Sequence, residues 1–274
     1  MGNGTQAGVN PLLNGCVSGH SRALPIRPSP RLGRVLEIIA VTAADARAAQ
    51  EGGADRIEVV ADMAADGLTP DPDLVARMRD VTSLPMRVML RANAGFGTSA
   101  AGLDRLRTAA GALREAGADG FVFGFLDSAG HVDAAATAAL AAAVAPLPWT
   151  FHRALDHAAD PASAWDAVRG LGPDAVLTAG SARGVEAGLP LLARRAAPGP
   201  DAAGLLLAGG GLRRRHVAVL AAAGITAFHV GTAVRAGGSW AAPADPALVA
   251  EWRALVAAAA GGRPRPAGDP PASH

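Results

Sequence analysis

Trp149-Thr150-Phe151-His152-Arg153-Ala154-Leu155-Asp156 decides the reading of this chain. The stretch continues a short apolar strand that starts at Leu147, then closes on an imidazole, a guanidinium and a carboxylate. In a barrel of alternating strands and helices, the C-terminal strand ends surround one pocket. Polar side chains at such an edge predict a site there. Working outward, similar strand-like runs recur at Val35–Ile39, Arg56–Val60, Met86–Arg91, Gly120–Phe125, Ala175–Thr178, Gly204–Ala208 and Ala227–Gly231. Alanine-rich helical patterns fill the gaps, among them Thr42–Glu51, Asp71–Thr82, Leu103–Ala116, Asp133–Val144, Ala162–Leu171, Leu212–Ala223 and Pro246–Ala259. The spacing, roughly 20 to 35 residues, is that of one strand-helix unit. Eight such units predict an α/β fold, a single-domain (β/α)8 TIM barrel over residues 35–260. The rival, a doubly wound sheet, usually stops at about five or six strands.

Several helices end alike. Gly53-Ala54-Asp55, Gly117-Ala118-Asp119 and Gly172-Pro173-Asp174 each precede a strand, and Gly224-Ile225-Thr226 is a looser version. Glycine there predicts a left-handed helix end.

Half of the 274 residues are hydrophobic (50%), and the formal net charge is +1. So balanced a chain gives no electrostatic reason to expect nucleic acid or a membrane surface as partner. Its one cysteine, Cys16, excludes disulfides and thiolate clusters within the chain. No apolar run approaches the roughly 18 residues of a membrane helix. Asn14 and Gly15 interrupt the run from Pro11 to Val17, which argues against a secretory signal. A cytoplasmic location is expected, and self-association is left open. Residues 1–34 carry Arg22, Arg27, Arg31 and Arg34 without an acid and read as a disordered extension, as does the Pro/Gly-rich tail 261–274.

Strand periodicity brings polar groups to the expected mouth. Glu37 sits near the end of the first strand, with Glu58 in the equivalent place on the second. Arg91 ends the third strand, His152 the fifth and Thr178 the sixth, and His229 lies near the end of the eighth. Charges in a barrel core must pair or hold a ligand. One pairing sets Glu37 and Glu58 against Arg91 and Arg153. Two glycine-rich turns complete the rim: Gly209-Gly210-Gly211, and Gly231-Thr232. Turns after strands seven and eight are where barrels often bind phosphate. With Arg91 and Thr178 they form the expected anion site. Gly95-Phe96-Gly97-Thr98-Ser99-Ala100 fits a dinucleotide pattern but lacks the acid beyond it, so no nucleotide cofactor is expected. His131, His157 and His216 read as solvated surface residues.

These residues resemble the CutC family, named for copper homeostasis and built on a TIM barrel. The matching pieces are Leu36-Glu37-Ile38, Gly53-Ala54-Asp55-Arg56-Ile57-Glu58, Gly67-Leu68-Thr69-Pro70, Thr150 to Asp156, Val176 to Gly180, Ala208 to Gly211, and His229. Family members often carry cysteines just after the glutamates of strands one and two. Here those positions read Ile38-Ile39-Ala40 and Val59-Val60. Cu(I) prefers soft sulfur ligands, so copper is implied by the resemblance alone and not by thiolates of the barrel. The remaining metal-ligand candidates are Glu37, Glu58, His152 and His229, a set suited to Zn(II), Mn(II) or Cu(II). The family's Arg-Pro-Arg-Gly-Gly-Asp-Phe type loop is Arg91-Ala92-Asn93-Ala94-Gly95-Phe96 here, and Ala179 replaces a serine.

Three functions follow from this. The resemblance implies a copper-homeostasis protein. The polar mouth suits an enzyme acting on a small, possibly anionic, metabolite. In that reading Glu37 or Glu58 is the general base, His152 shuttles a proton, and Arg153 and Arg91 hold an anion. Asp156 then orients Arg153 or His152. A non-catalytic binding protein is the third.

Overall fold

The computed structural model describes residues 1–2 and 34–259. The expected terminal extensions, and Cys16, lie outside the described residues apart from residues 1, 2 and 34. Eight parallel strands close into a barrel in sequence order. They are β1 (Val35–Ala40), β2 (Arg56–Val59), β3 (Met86–Met89), β4 (Gly120–Phe123), β5 (Trp149–Phe151), β6 (Ala175–Thr178), β7 (Leu206–Ala208) and β8 (Ala227–Val230). The helices are α1 (Ala43–Glu51), α2 (Pro72–Arg79), α3 (Ala100–Glu115), α4 (Ala134–Val144), α5 (Pro161–Gly170), α6 (Val185–Ala196), α7 (Pro200–Leu205), α8 (Arg214–Ala222) and α9 (Pro246–Ala259). The chain is a (β/α)8 TIM barrel.

Several strands are a residue or two shorter than the sequence suggests, and two elements differ in kind. Gly204 and Leu205 belong to α7 rather than to strand seven. Pro200 at the first helical position and Asp201 in the first turn favour that short helix. Helix α6 was not singled out, because Pro190 lies inside it and Gly188 interrupts its pattern. The glycine helix ends hold: φ is +80° at Gly53, +110° at Gly117, +71° at Gly172 and +94° at Gly224.

The aspartate after each such glycine has its own task. Asp55 accepts a hydrogen bond from Leu36 N–H (2.7 Å), Asp119 from Met86 N–H (2.9 Å) and Asp174 from Trp149 N–H (2.8 Å). Each also donates its own N–H to the carbonyl of that same residue. The aspartate therefore clasps the strand it precedes to the foot of the strand before.

Register fixes the interior. Glu37 lies opposite Arg56 and His229, Ile39 opposite Glu58, and Glu58 opposite Arg87. Followed around the barrel, inward side chains from alternate strands stack in layers. From the bottom these are Arg56, Gly120, Ala175 and Ala227; then Glu37, Arg87, Thr150 and Leu207; then Glu58, Val122, Leu177 and His229. Ile39, Met89, His152 and Gly209 lie above them. The β6–β8 side is aliphatic, with Ala175, Leu177, Leu207 and Ala227 in one cluster. The β1–β3 side is charged. Barrel interiors are usually filled by branched aliphatic residues, so this asymmetry marks where the chemistry sits.

Candidate active site at the barrel mouth

A cavity of about 270 Å³ opens at the C-terminal end of the strands. Its floor holds Glu58, His229 and His152, and its rim holds Arg153, Gly210, Gly211, Gly231 and Thr232. Ile39, Val60, Met89 and Trp240 form an apolar wall.

Glu37 lies one layer below the floor, not at its edge. Its carboxylate is taken by the Arg56 guanidinium and by His229 Nδ1, the latter at 2.7 Å. Burial alone would raise the pKa of this carboxyl. Arg56 and His229 outweigh burial and hold it near 2. Glu37 is thus an ionised anchor for His229 rather than a base in the cavity. The pairing of the two glutamates with Arg91 and Arg153 is not formed. Arg56 is the partner, and its spacing of two from Glu58 was the signal for a shared inward face.

Glu58 differs in every respect. It is 3% exposed and lines the cavity. Its Oε1 has no hydrogen-bond partner, and its Oε2 stands 3.6 Å from His229 Nε2. Burial, together with the Glu37 charge, pushes its pKa up to about 7 against the pull of His229 and Arg56. Burial also works against a charged His229, but Glu58 and Glu37 prevail and raise its pKa. Each of the two groups therefore bears on the other's protonation.

His152 is 4% exposed, and its Nδ1 accepts the Ala154 N–H at 3.3 Å. Burial first, then the nearby Arg91, His157 and Arg153 charges, lower its pKa to about 3. A neutral ring accepting at Nδ1 carries its proton on Nε2. His152 therefore offers the cavity an N–H donor.

The predicted anion residues divide. Arg153 Nε donates to Asp156 at 3.0 Å. A Cβ on Gly210 would stand 2.6 Å from Arg153 Nε, so the bare glycine (φ +92°) is what lets the guanidinium lie across the turn. Gly211 (φ +74°) gives its N–H to no backbone carbonyl among the described residues. Gly209 has its N–H bonded to Thr178 O and leaves no room for a side chain above His229. Arg91 lines the cavity, but its guanidinium serves the carbonyls of Ala65, Asp66, Gly67, Ala94 and Gly95. It fastens two loops together and stacks on Phe96 at 5.0 Å. Thr178 points outward into the helix layer, where it meets Asp156 (2.5 Å) and Arg195 (3.1 Å). Asp156 also accepts from Ala179 N–H and Gly180 N–H, which fixes Arg153 to the end of β6.

One histidine departs from expectation. His216 is buried and bonded to Glu186 at 2.7 Å, not solvated. His157 is exposed, as expected, and lies at the rim against Phe96. The glycine pattern at Gly95 is a loop held by Arg91 and Asn93, with Ser99 capping α3. Trp240 was missed: it sits over Gly231 and stacks on Arg235 at 4.7 Å, and a hydrophobic residue in a loop carries no periodic signal. Arg235 in turn bonds Asp45 (3.1 Å), the carbonyl of Ile39 and that of Ala242.

No group of three or more His, Cys, Asp or Glu among the described residues is placed to hold a metal. Glu37 cannot join Glu58, His152 and His229 as a ligand while Arg56 and His229 occupy it. Ile39 and Val60, from the two segments where the family resemblance implied cysteines, belong to one apolar cluster with Met89 and Val122. A thiolate copper centre does not fit this wall.

The family model for CutC matches residues 34–234. A CutC protein of Klebsiella pneumoniae (strain 342) is 35% identical over 200 residues, covering 71% of this chain and 78% of that protein. The human copper homeostasis protein cutC homolog is 33% identical over 199 residues, covering 72% of each. A solved CutC structure from Streptococcus agalactiae superposes with a TM-score of 0.64 at 22% identity, over 72% of this chain and 98% of that one, and shares the fold. No helix among the described residues is long and apolar enough to cross a membrane. Motifs, barrel and relatives agree, and the chain belongs to the CutC family.

Proposed function

We propose that this chain serves copper homeostasis in the cytoplasm, the role named for its human relative, by binding a small anionic molecule in the barrel mouth. Copper is the process it serves, not an ion it holds on thiolates. The observation that carries this reading is Arg153. Its Nε is pinned by Asp156, and its guanidinium lies across Gly210 beside the open Gly211 turn. A planar cation beside bare backbone is suited to a carboxylate or phosphate. The apolar wall of Ile39, Val60 and Trp240 takes the rest of a small molecule.

Two measurements test this. Inorganic phosphate at millimolar concentration should raise the melting temperature of the protein, and Arg153→Ala should abolish the rise. Deleting the gene in its host should change copper tolerance, with recovery by the unaltered gene and not by Arg153→Ala. An unchanged tolerance sinks the copper role. An equal phosphate response in the variant sinks the anion site.

A further inference from the structure

We infer that Glu58 is the proton-transfer residue of a cofactor-independent enolisation, acting on a small carbonyl compound that carries a carboxylate or phosphate. This rests on the anion site at Arg153.

The geometry singles out one carboxyl. Of the two interior glutamates, Glu37 is fully engaged below the floor, whereas Glu58 lines the cavity and its buried Oε1 has no partner. A buried carboxyl oxygen without a partner sets Glu58 apart from the saturated Glu37. The groups around Glu58 are complete enough to define its chemistry. Glu37 faces it from β1, His229 from β8, Arg87 from β3 and Arg56 from its own strand. Glu37 holds His229 Nδ1, so the imidazole presents Nε2 to Glu58. Burial raises the proton affinity of Glu58 and His229 draws it back, which leaves it near neutrality, where a general base works best. Across the cavity His152 offers Nε2–H, a neutral donor suited to a carbonyl oxygen as it gains charge.

The step balances without any further reactant. With the anionic end on Arg153, the ionised Glu58 carboxylate takes a proton from the carbon beside the carbonyl. That C–H bond breaks and an O–H bond forms on Glu58. The electron pair becomes the C=C bond of an enolate, whose oxygen is stabilised by a hydrogen bond from His152. Glu58 then returns the proton, or one exchanged with solvent, to the same carbon or its neighbour. His152 is a donor and does not give up its proton, because its neutral ring would have to become an imidazolate.

The test is deuterium incorporation in D2O, followed by proton NMR on two probes, dihydroxyacetone phosphate and pyruvate. The protein should label at least one of them faster than buffer, with a rate that rises as pH passes through about 7 and Glu58 loses its proton. Glu58→Gln should lower that rate by about 100-fold or more, while keeping its phosphate-induced rise in melting temperature. Glu58→Asp, which keeps the carboxyl and shortens its reach, should retain part of the rate. Labelling no faster than buffer with both probes, or equally fast in Glu58→Gln, overturns the inference. If phosphate stabilises the protein while labelling is absent, the enolisation fails and the anion site stands. If phosphate has no effect, the anion site itself fails.

Discussion

Arg56 holds the interior together at the scale of single residues. It is 6% exposed, it neutralises Glu37, and its Nη2 has no partner. Replacing it by methionine leaves Glu37 buried without its main counter-charge. Breaking one side of a buried pair costs about 3–5 kcal/mol, so Arg56→Met should lose that much in urea denaturation. Glu58 behaves in the opposite sense. Its folded pKa of about 7 stands above the ordinary 4.5. A carboxyl raised in this way adds stability that is fully present below the unfolded value and disappears as pH rises through the folded one. The amount is on the order of 3 kcal/mol. The unaltered protein should therefore weaken between about pH 5 and pH 8, while Glu58→Gln changes less over the same range. Denaturation midpoints of both proteins across that range check the sign. The sequence revealed which residues face inward, because side-chain direction alternates along a strand. It did not reveal their heights. Glu37 and Glu58 looked equivalent, yet register sets one a layer below the other and divides anchor from candidate base.

At the scale of elements, the recurring unit is a helix end, a left-handed glycine and an aspartate clasp. The glycine was legible because only its backbone conformation is at stake. The aspartate's partner was not, because Asp174 and Trp149 lie 25 residues apart in sequence. Asp174→Ala removes the acceptor for the Trp149 N–H at the foot of β5. The expected loss is about 1–3 kcal/mol, with faster hydrogen exchange of the Trp149 amide as the local signature. Helix α7 and the shortened β7 were hidden for a related reason. A run of Ala203, Gly204, Leu205 and Leu206 suits either state, and only the register of β7 with β6 shows where the strand begins. The arginine at the end of strand three gave a true position and a misleading role. Arg91 reaches the mouth, but the loops that claim its guanidinium come from two separate segments.

For the whole molecule, a barrel of this class was readable from eight alternations, and the mouth from the polar strand ends. Of the six expected strand-end groups, Glu58, Arg91, His152 and His229 line the cavity. Glu37 and Thr178 do not, one lying beneath the floor and the other behind the wall. The wall also bears on copper. Ile39 and Val60 share one small apolar cluster on the cavity wall, so the double substitution Ile39→Cys, Val60→Cys should create Cu(I) uptake in competition with a chromogenic chelator. The starting protein should show none from those positions. Lost packing should cost the double variant about 1–3 kcal/mol. Trp240 has a consequence of another kind. The chain has four tryptophans, and Trp149, Trp165 and Trp252 are buried in the body of the fold, while Trp240 alone borders the cavity. An indole perched on a guanidinium at the doorway is a built-in optical gauge. Emission of the unlabelled protein should shift when a guest enters, and Trp240→Phe should silence that signal while leaving the guest's affinity measurable by calorimetry.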